Sequence, residues 1–380
     1  MDRPGRVMSS IKPRQGRNGW TGRVLAAASL LVGLNAVVRA ADPDRITVGN
    51  GRFRVNGHRL WINGANTPWE HWNDFGGSFD EAWWDAQFGA LRSNGINATR
   101  VWISCSGGAG ILIDRDGAVS GATAAHWHDL DRLFLLAAKH RLHLMATLLS
   151  YDHFKNNHPD YQRWRRWIAE DRNIDSYVDH YLVPFLDRYG RSPWLWSIDL
   201  MNEPDWVFEN REDGRIPWQR LQSYFARAAR VIHEHSPVLV TVGMAMPKYN
   251  SDTARNSVGN KVGDRALQAL VPDPAARLDF YTTHYYDWNG KIWGNAVYLT
   301  PAAYQLPTDK PSLLGEMPAV GTSGHTITAD YESAFQHGWL GAMAWTSNGV
   351  DKFGSLKQLG PATRAMRALH AALIEGGPGP

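Results

Sequence analysis

The sequence predicts an α/β protein: a single (β/α)8 TIM barrel with a short N-terminal β-hairpin. Three observations carry this reading. Eight short strand-like runs alternate with amphipathic helical stretches. No two consecutive runs are joined by a tight turn, so they pair in parallel through right-handed crossovers. Polar or aromatic residues stand at the C-terminal end of nearly every run, and in a closed barrel those ends meet at one mouth. An open doubly wound sheet is the competing architecture, but no Gly-rich phosphate loop follows any run.

Residues 46–55, followed by Asn56-Gly57, read as short strands joined by Asn-Gly turns ahead of the main domain. Residues 60–65 form the first barrel strand. A helix over 80–92 follows, with Trp83, Trp84, Phe88 and Leu91 at helical spacing and Asn94-Gly95 closing it. Strand 98–104, helix 127–140, strand 143–149 and helix 174–189 continue the alternation. Residues 196–201 are an apolar run suited to a buried parallel strand, which Pro204 ends. Helix 218–235 leads to strand 238–244, and a long irregular stretch leads to strand 279–284. Strands 311–315 and 341–345 complete the eight, with helix 330–336 between them and helix 362–374 at the end.

The chain has 380 residues, 43% hydrophobic and 20% charged, enough for one large core with no low-complexity block dividing it. Its formal charge of +3 is unevenly placed, because residues 1–40 hold seven Lys/Arg against Asp2 alone. The rest keeps 33 of the 40 basic and 36 of the 37 acidic residues, a balance of −3 that gives no reason to expect nucleic acid or a membrane surface as partner. Residues 1–40 read as a signal peptide, with a basic lead, an apolar run over 24–38 and small residues at Ala40-Ala41. The run is short for a membrane span and Asn35 interrupts it. The domains are therefore a leader at 1–40 and a barrel at 41–380, exported to a bacterial periplasm or the medium. No later stretch could span a bilayer. Cys105 is the only cysteine, so no internal disulfide is available.

The strand ends collect the chemistry. Asn66 and Trp69 follow the first strand, and Arg100 and Trp102 lie on the second. Asp152 and His153 follow the third, Asn202 and Glu203 the fourth. His284 and Tyr286 end the sixth, Glu316 the seventh and Trp345 the eighth. Two carboxylates across one mouth, among Arg, Asn, His and Tyr donors, are the equipment for glycoside hydrolysis with retention. Glu203 would be acid/base: at the end of a buried strand it gains the raised pKa a proton donor needs. Glu316, in Ser312-Leu-Leu-Gly-Glu-Met317, would be the nucleophile, held ionised by Arg100 and Tyr286. Retention requires the two carboxyl groups about 5 to 5.5 Å apart.

An ordered set of motifs, Gly95-Ile-Asn-Ala-Thr-Arg100, Asn202-Glu203-Pro204, His284-Tyr-Tyr286, Gly315-Glu316 and Trp345, resembles the retaining glycosidases of clan A. Within that clan it resembles glycoside hydrolase family 5, the cellulase and β-mannanase family, from about residue 60 to 345. The resemblance implies that Asn202 bonds the sugar 2-hydroxyl, that His284 and Tyr286 line the nucleophile, and that Trp345 floors the subsite of the reacting sugar. Asn63-Gly-Ala-Asn66 and the tryptophan-rich first loop look more like the mannanase branch.

Eighteen tryptophans suit sugar stacking, yet many must be core. Trp83, Trp84, Trp164, Trp167 and Trp218 lie on helical patterns and are assigned to packing. Trp69, Trp72, Trp102, Trp206, Trp288, Trp293 and Trp345 fall at strand ends or in following loops and are the subsite candidates. Arg100 has the alternative reading of a barrel-interior ion-pair partner, and His284 that of a satisfied core histidine. His126/His128 and His233/His235 are spaced to point apart on helices, and Asp114-Arg-Asp116-Gly117 lacks the further acids of a calcium loop and reads as a hairpin turn within a mouth loop, so no metal or cofactor is expected. The expectation is an endo-β-1,4-mannanase acting, as a monomer, on a polysaccharide. The alternatives are an endo-β-1,4-glucanase or exopolysaccharide-cleaving enzyme of the same clan, and an inactive carbohydrate-binding barrel.

Overall fold

The computed structural model describes residue 42 and residues 44–377, so the leader read in residues 1–40 lies outside the described residues. Strands β1 (Thr47–Gly49), β2 (Arg52–Val55) and β3 (His58–Leu60) form an antiparallel sheet. Its two turns are the Asn-Gly pairs: Asn50, Gly51, Asn56 and Gly57 all have positive φ, which suits the twist of tight hairpins. The expected N-terminal hairpin is present and is extended by a third strand.

The barrel strands are β4 (Ile62–Asn66), β5 (Ala98–Trp102), β8 (His143–Thr147), β9 (Leu195–Asn202), β10 (Leu239–Met244), β11 (Tyr281–His284), β12 (Ser312–Pro318) and β13 (Gly341–Trp345). They pair in parallel and close in the order β10-β11-β12-β13-β4-β5-β8-β9. The expected (β/α)8 architecture is present. Between β5 and β8 the chain makes a small antiparallel hairpin, β6 (Ile111–Ile113) and β7 (Val119–Ala122), around the hairpin turn expected at residues 114–117. Asp114 forms its turn, accepting N–H bonds from Asp116 and Ala118 at 2.9 Å each.

Local chemistry explains where helix boundaries differ from expectation. The helix expected at 127 starts at Ala124 because Thr123 caps it, accepting from the His126 amide at 3.1 Å. The helix expected over 174–189 starts at Asp171 and contains a π-helical turn, Val178–Leu182. Pro184 follows that turn and has no N–H for the regular ladder. The last long helix starts at Leu356, where Ser355 and Gln358 make a capping box, and it carries Pro361 inside. β12 runs past Gly315, so Glu316 lies within the strand.

The barrel floor is an apolar plug. Phe53 of β2 meets Trp196 at 5.4 Å and Phe280 at 5.1 Å edge-on, and Trp196 stacks on Phe280 at 5.3 Å. Ile46, Ile62, Met145, Leu313 and Met343 fill the remainder. The second apolar layer lies outside, between strands and helices, where Trp84, Trp164 and Trp167 are fully buried and Trp218 nearly so, as assigned. Among the described residues no helix is long and apolar enough to cross a membrane.

Two buried asparagines tie the first crossover to the C-terminal helices. Asn97 accepts from the Asn63 amide at 3.0 Å and donates to the Trp61 and Ile374 carbonyls at 2.9 Å each. Asn97→Ala leaves three buried backbone groups without partners and should cost about 2–4 kcal/mol. Urea denaturation measures this, and a loss below about 1 kcal/mol would show that these ties do not hold the ends of the barrel together.

Candidate active site

Every strand that carries a candidate residue ends at the same mouth, and the side chains meet on Arg100. The Arg100 side chain is wholly buried, and all five of its N–H directions are used. Nε and Nη2 donate to Asp199 Oδ2 at 3.0 and 2.8 Å, Nη2 also to Asn202 Oδ1 at 2.7 Å. Nη1 donates to Asn66 Oδ1 at 3.0 Å and to Glu316 Oε1 at 2.7 Å. Asp199 is saturated in turn, by Thr147 Oγ1 at 3.0 Å and by the Gly243 amide at 2.9 Å. Arg100 is therefore an interior ion-pair partner, and it reaches the cleft only through Glu316 and Asn202.

Glu203 follows β9 in the left-handed region, with φ 49°. An L-residue held there is strained, which is tolerated when surrounding bonds over-determine it. Its amide donates to the Gly243 carbonyl at 2.8 Å, and Pro204 starts the helix Pro204–Glu209 directly after it. Asp205 anchors that helix by accepting from the Ala245 and Met246 amides at 3.0 Å each. The Glu203 carboxyl accepts from Trp206 Nε1 at 2.9 Å on Oε2, and His284 Nδ1 lies 3.0 Å from Oε1. Tyr286 donates to Glu316 Oε2 at 2.7 Å, and Asn289 caps Tyr286 while bonding the Ala245 carbonyl. His284 Nδ1 is also 3.4 Å from Glu316 Oε1. One oxygen of each glutamate and the His284 nitrogen all lie within 4.8 Å of one another.

The two carboxyls differ in surroundings. Burial raises both, and it carries Glu203 to about 7, opposed chiefly by the Trp206 hydrogen bond and the more distant Arg100 charge. Glu316 is raised by burial and by the neighbouring Glu203 charge, and the directly bonded Arg100 and the Tyr286 hydrogen bond oppose the rise. A guanidinium bonds Glu316 directly and none bonds Glu203, which favours the carboxylate form at Glu316. Burial lowers His284 to about 4, so its imidazole is neutral and can face both carboxyls without adding charge. The phenol of Tyr286 is pushed well up by burial and by Glu316, which keeps it a hydrogen-bond donor. Gly243 is required here: a Cβ on it would sit 2.8 Å from His284 Nε2 and 3.3 Å from Arg100 Nη2.

A cleft of about 710 Å³ opens above these groups, lined by Asn202, Glu203, Tyr286 and Glu316 and by two aromatic walls. One wall rises from the adjacent strands β13, β4 and β5. In it Trp69 meets Trp72, Trp102 and Trp345 at 4.7, 5.0 and 5.9 Å, and Trp345 donates to Asp351 Oδ2 at 2.8 Å. The other wall is Trp206 with Trp288, 5.6 Å apart, above β9 and β11, which flank the strand opposite β4.

Three expected residues stand elsewhere. His153 is wholly buried behind the wall, its Nε2 3.0 Å from Ser104 Oγ and its ring edge-on to Trp164 at 4.7 Å. The 3-10 turn Tyr151–Phe154 sends Tyr151 and Asp152 into the cleft and His153 backward. Trp293 is packed away, donating to the Arg255 carbonyl at 2.9 Å, and Asn66 is buried beneath Arg100. The sequence reading passed over Asp199, Tyr151, Asp351 and Phe353. A carboxylate in the middle of a buried strand was the available signal for Asp199.

Two sets of groups could in principle ligate a metal among the described residues. In Glu203–His284–Glu316 a cation would face the fixed guanidinium that already holds Glu316. In Glu70–His71–Asp74, Asp74 spends both oxygens on the Glu70 and His71 amides at 2.8 Å each.

With the geometry in hand, comparison with known proteins is decisive in one direction. No family model matches the chain. A mannan endo-1,4-beta-mannosidase of Mytilus edulis is 25% identical over 331 residues, 80% of this chain and 89% of that protein. The crystal structure of an endo-1,4-beta-mannanase from Eisenia fetida superposes with a TM-score of 0.75 at 25% identity, over 85% of this chain and 95% of that one. A beta-1,4-mannanase from Aplysia kurodai gives 0.74 at 26% identity, over 85% and 97%. The protein is a glycoside hydrolase similar to these mannanases over most of its length. The enzyme thus has the relationship that its ordered motifs implied.

Two outcomes test the site's electrostatics. Asp199→Ala strips Arg100 of two of its five bonds, and an uncompensated buried charge should cost the enzyme about 3–5 kcal/mol of folding stability. Equilibrium denaturation reads this directly. Glu203 holds its proton in the folded state up to about 7 while the unfolded chain releases it near 4.5, so its ionisation lowers stability as pH rises through that window. Glu203→Gln removes the effect. The variant's Tm relative to wild type should therefore be higher at pH 8 than at pH 4, and a pH-independent difference would place the Glu203 pKa near its ordinary value.

Proposed function

We propose that the protein is a retaining endo-β-1,4-mannanase, exported by the leader read in residues 1–40. The observation that carries the mechanism is the approach of Glu203 and Glu316, one carboxyl oxygen of each within 4.8 Å of the other, with a guanidinium bonded to Glu316 and none to Glu203. This close approach supports the arrangement of double displacement, in which one carboxyl attacks directly.

In the first step Glu316 Oε attacks the anomeric carbon while protonated Glu203 gives its proton to the departing glycosidic oxygen. Esterification removes the Glu316 charge. The repulsion that helped hold the Glu203 proton falls with it, and Glu203 ionises to act as base on the incoming water. Arg100 and Tyr286 aim Glu316 and keep it deprotonated at rest. Asn202 spends Oδ1 on Arg100, and its Nδ2 makes no hydrogen bond among the described residues, which leaves a donor for the sugar beside the nucleophile. Trp206 bonds the acid itself, so its wall is the leaving-group side, and the Trp69–Trp345 wall holds the retained sugar. A cleft with aromatic walls on both sides of the scissile bond suits cutting within a chain. The mannan specificity rests on the mannanase relatives and on the tryptophan-rich first loop.

Incubation with mannan, glucomannan, cellulose-like glucan, xylan and galactan should release short oligosaccharides from the mannans. Glu316→Gln should lower kcat on the order of 10⁴-fold. Release from cellulose-like glucan alone would move the substrate to glucan, and unchanged turnover in Glu316→Gln would remove it as nucleophile. Glu203→Ala should lose mannan hydrolysis yet still be glycosylated by an aryl β-mannoside whose leaving group needs no proton, giving a burst. Equal losses on both substrates would deny Glu203 the acid role.

A further inference from the structure

Next to the catalytic cleft lies a second one of about 610 Å³ that shares two walls with it, Tyr151 and Trp206. It runs between residues 155–157, after the Tyr151–Phe154 turn, and residues 209–213, after the helix that Glu203 precedes. We infer that this second cleft is a distal binding site for the leaving-group side of the glycan, taking neutral, hydroxyl-rich sugar units beyond those on Trp206. The inference rests on the mannanase reading for the identity of the chain and on geometry for the site.

The direction follows from the acid. Trp206 Nε1 bonds Glu203 Oε2, so the indole stands where the leaving group departs. A chain passing that indole away from Glu316 enters the second cleft, because Trp206 is wall to both.

The cleft is built rather than incidental. Asp213 joins its two sides, accepting from Asn210 Nδ2 at 3.0 Å and from the Asn156 amide at 3.4 Å. Arg165 spans the same two segments beneath, donating to the Phe154 and Gly214 carbonyls at 3.2 and 2.6 Å. At one end Glu209 is held by Lys248 and Tyr249 at 2.6 and 2.5 Å. At the other, Lys155 lies 3.4 Å from Asp152 and 4.0 Å from the Tyr151 ring centre.

The lining chemistry selects the ligand. Lys155, Glu209 and Asp213 are already partnered. The side chains of Asn156, Asn157, Arg211 and Glu212 line the cleft with no hydrogen bond among the described residues. Two amides with one cation and one anion offer donors and acceptors to hydroxyls, and Asp213, whose partners are neutral, leaves the lining slightly negative, which disfavours an anionic polymer. Such a surface fits a neutral polyhydroxylated chain and not a uronate or a phosphate-bearing one.

The test compares mannohexaose with mannotriose, the shorter of which cannot reach across both clefts. In Asn157→Ala/Arg211→Ala the ratio of kcat/KM for hexaose to that for triose should fall about three- to tenfold, the loss of one or two sugar hydrogen bonds. The same double substitution in Glu316→Gln should weaken hexaose binding by calorimetry by a similar factor, independently of turnover. An unchanged ratio with unchanged hexaose affinity would overturn the inference while leaving the mannanase reading intact. Wild-type silence on both oligosaccharides would overturn the two together.

Discussion

The site depends on one guanidinium that has no freedom left. Arg100 stands wholly buried inside the barrel with five hydrogen bonds to four residues on three other strands, β4, β9 and β12. Desolvating such a cation is costly, and only near-complete pairing offsets it. That requirement explains several residues with no direct view of the cleft. Asp199 supplies the counter-charge through one oxygen that takes both Arg100 bonds and one from Thr147, its other oxygen accepts from the Gly243 amide, and Asn66 presents an oxygen from the first barrel strand. The nucleophile is then one more obligatory acceptor for a cation that cannot move. Its oxygen is placed to hydrogen-bond precision before any sugar arrives, which is what preorganisation means physically.

Much of the barrel is legible in the sequence because burial on both faces writes strands as short apolar runs, and helix caps and Asn-Gly turns punctuate them. The misreadings have physical causes. Pro361 sits inside a helix whose packing overrides local preference, so its start was read too late. The β6–β7 strands are too short to show a period, and only their turn was legible. At the site, residues on strand ends could be collected from pattern alone, because barrel topology brings all such ends together. What pattern cannot give is which way a side chain leaves a loop. Tyr151, Asp152 and His153 are consecutive, yet one 3-10 turn puts two in the cleft and one behind it. Asp199 was hidden differently: in a run such as Trp196-Ser-Ile-Asp-Leu-Met201 the apolar majority reads as core. Its one carboxylate is tolerable only if a cation from another strand meets it, and pairing across 99 residues leaves no local trace.

The two ends of the barrel divide labour. The floor is sealed by aromatic and aliphatic side chains from the N-terminal sheet and from strand starts. The mouth half holds the Arg100 network and the strained Glu203 backbone. A local strain of this kind persists because the floor and the outer helical layer supply stability that the mouth does not.

Charge counting at the mouth then assigns the proton. Arg100 contributes one positive charge, and Asp199 and Glu316 both bond it directly. His284 could supply a second, but burial holds it neutral, with Arg100 nearby opposing its protonation. If Asp199, Glu316 and Glu203 were all ionised, the buried centre would carry two uncompensated negative charges. Keeping the proton on Glu203, which touches no cation and accepts only from neutral partners, reduces this to one. The acid is therefore defined by subtraction: it is the carboxyl that the single buried cation cannot reach. Once the nucleophile's charge is consumed by bond formation, that subtraction reverses, and the same carboxyl is free to ionise as the base of the second step.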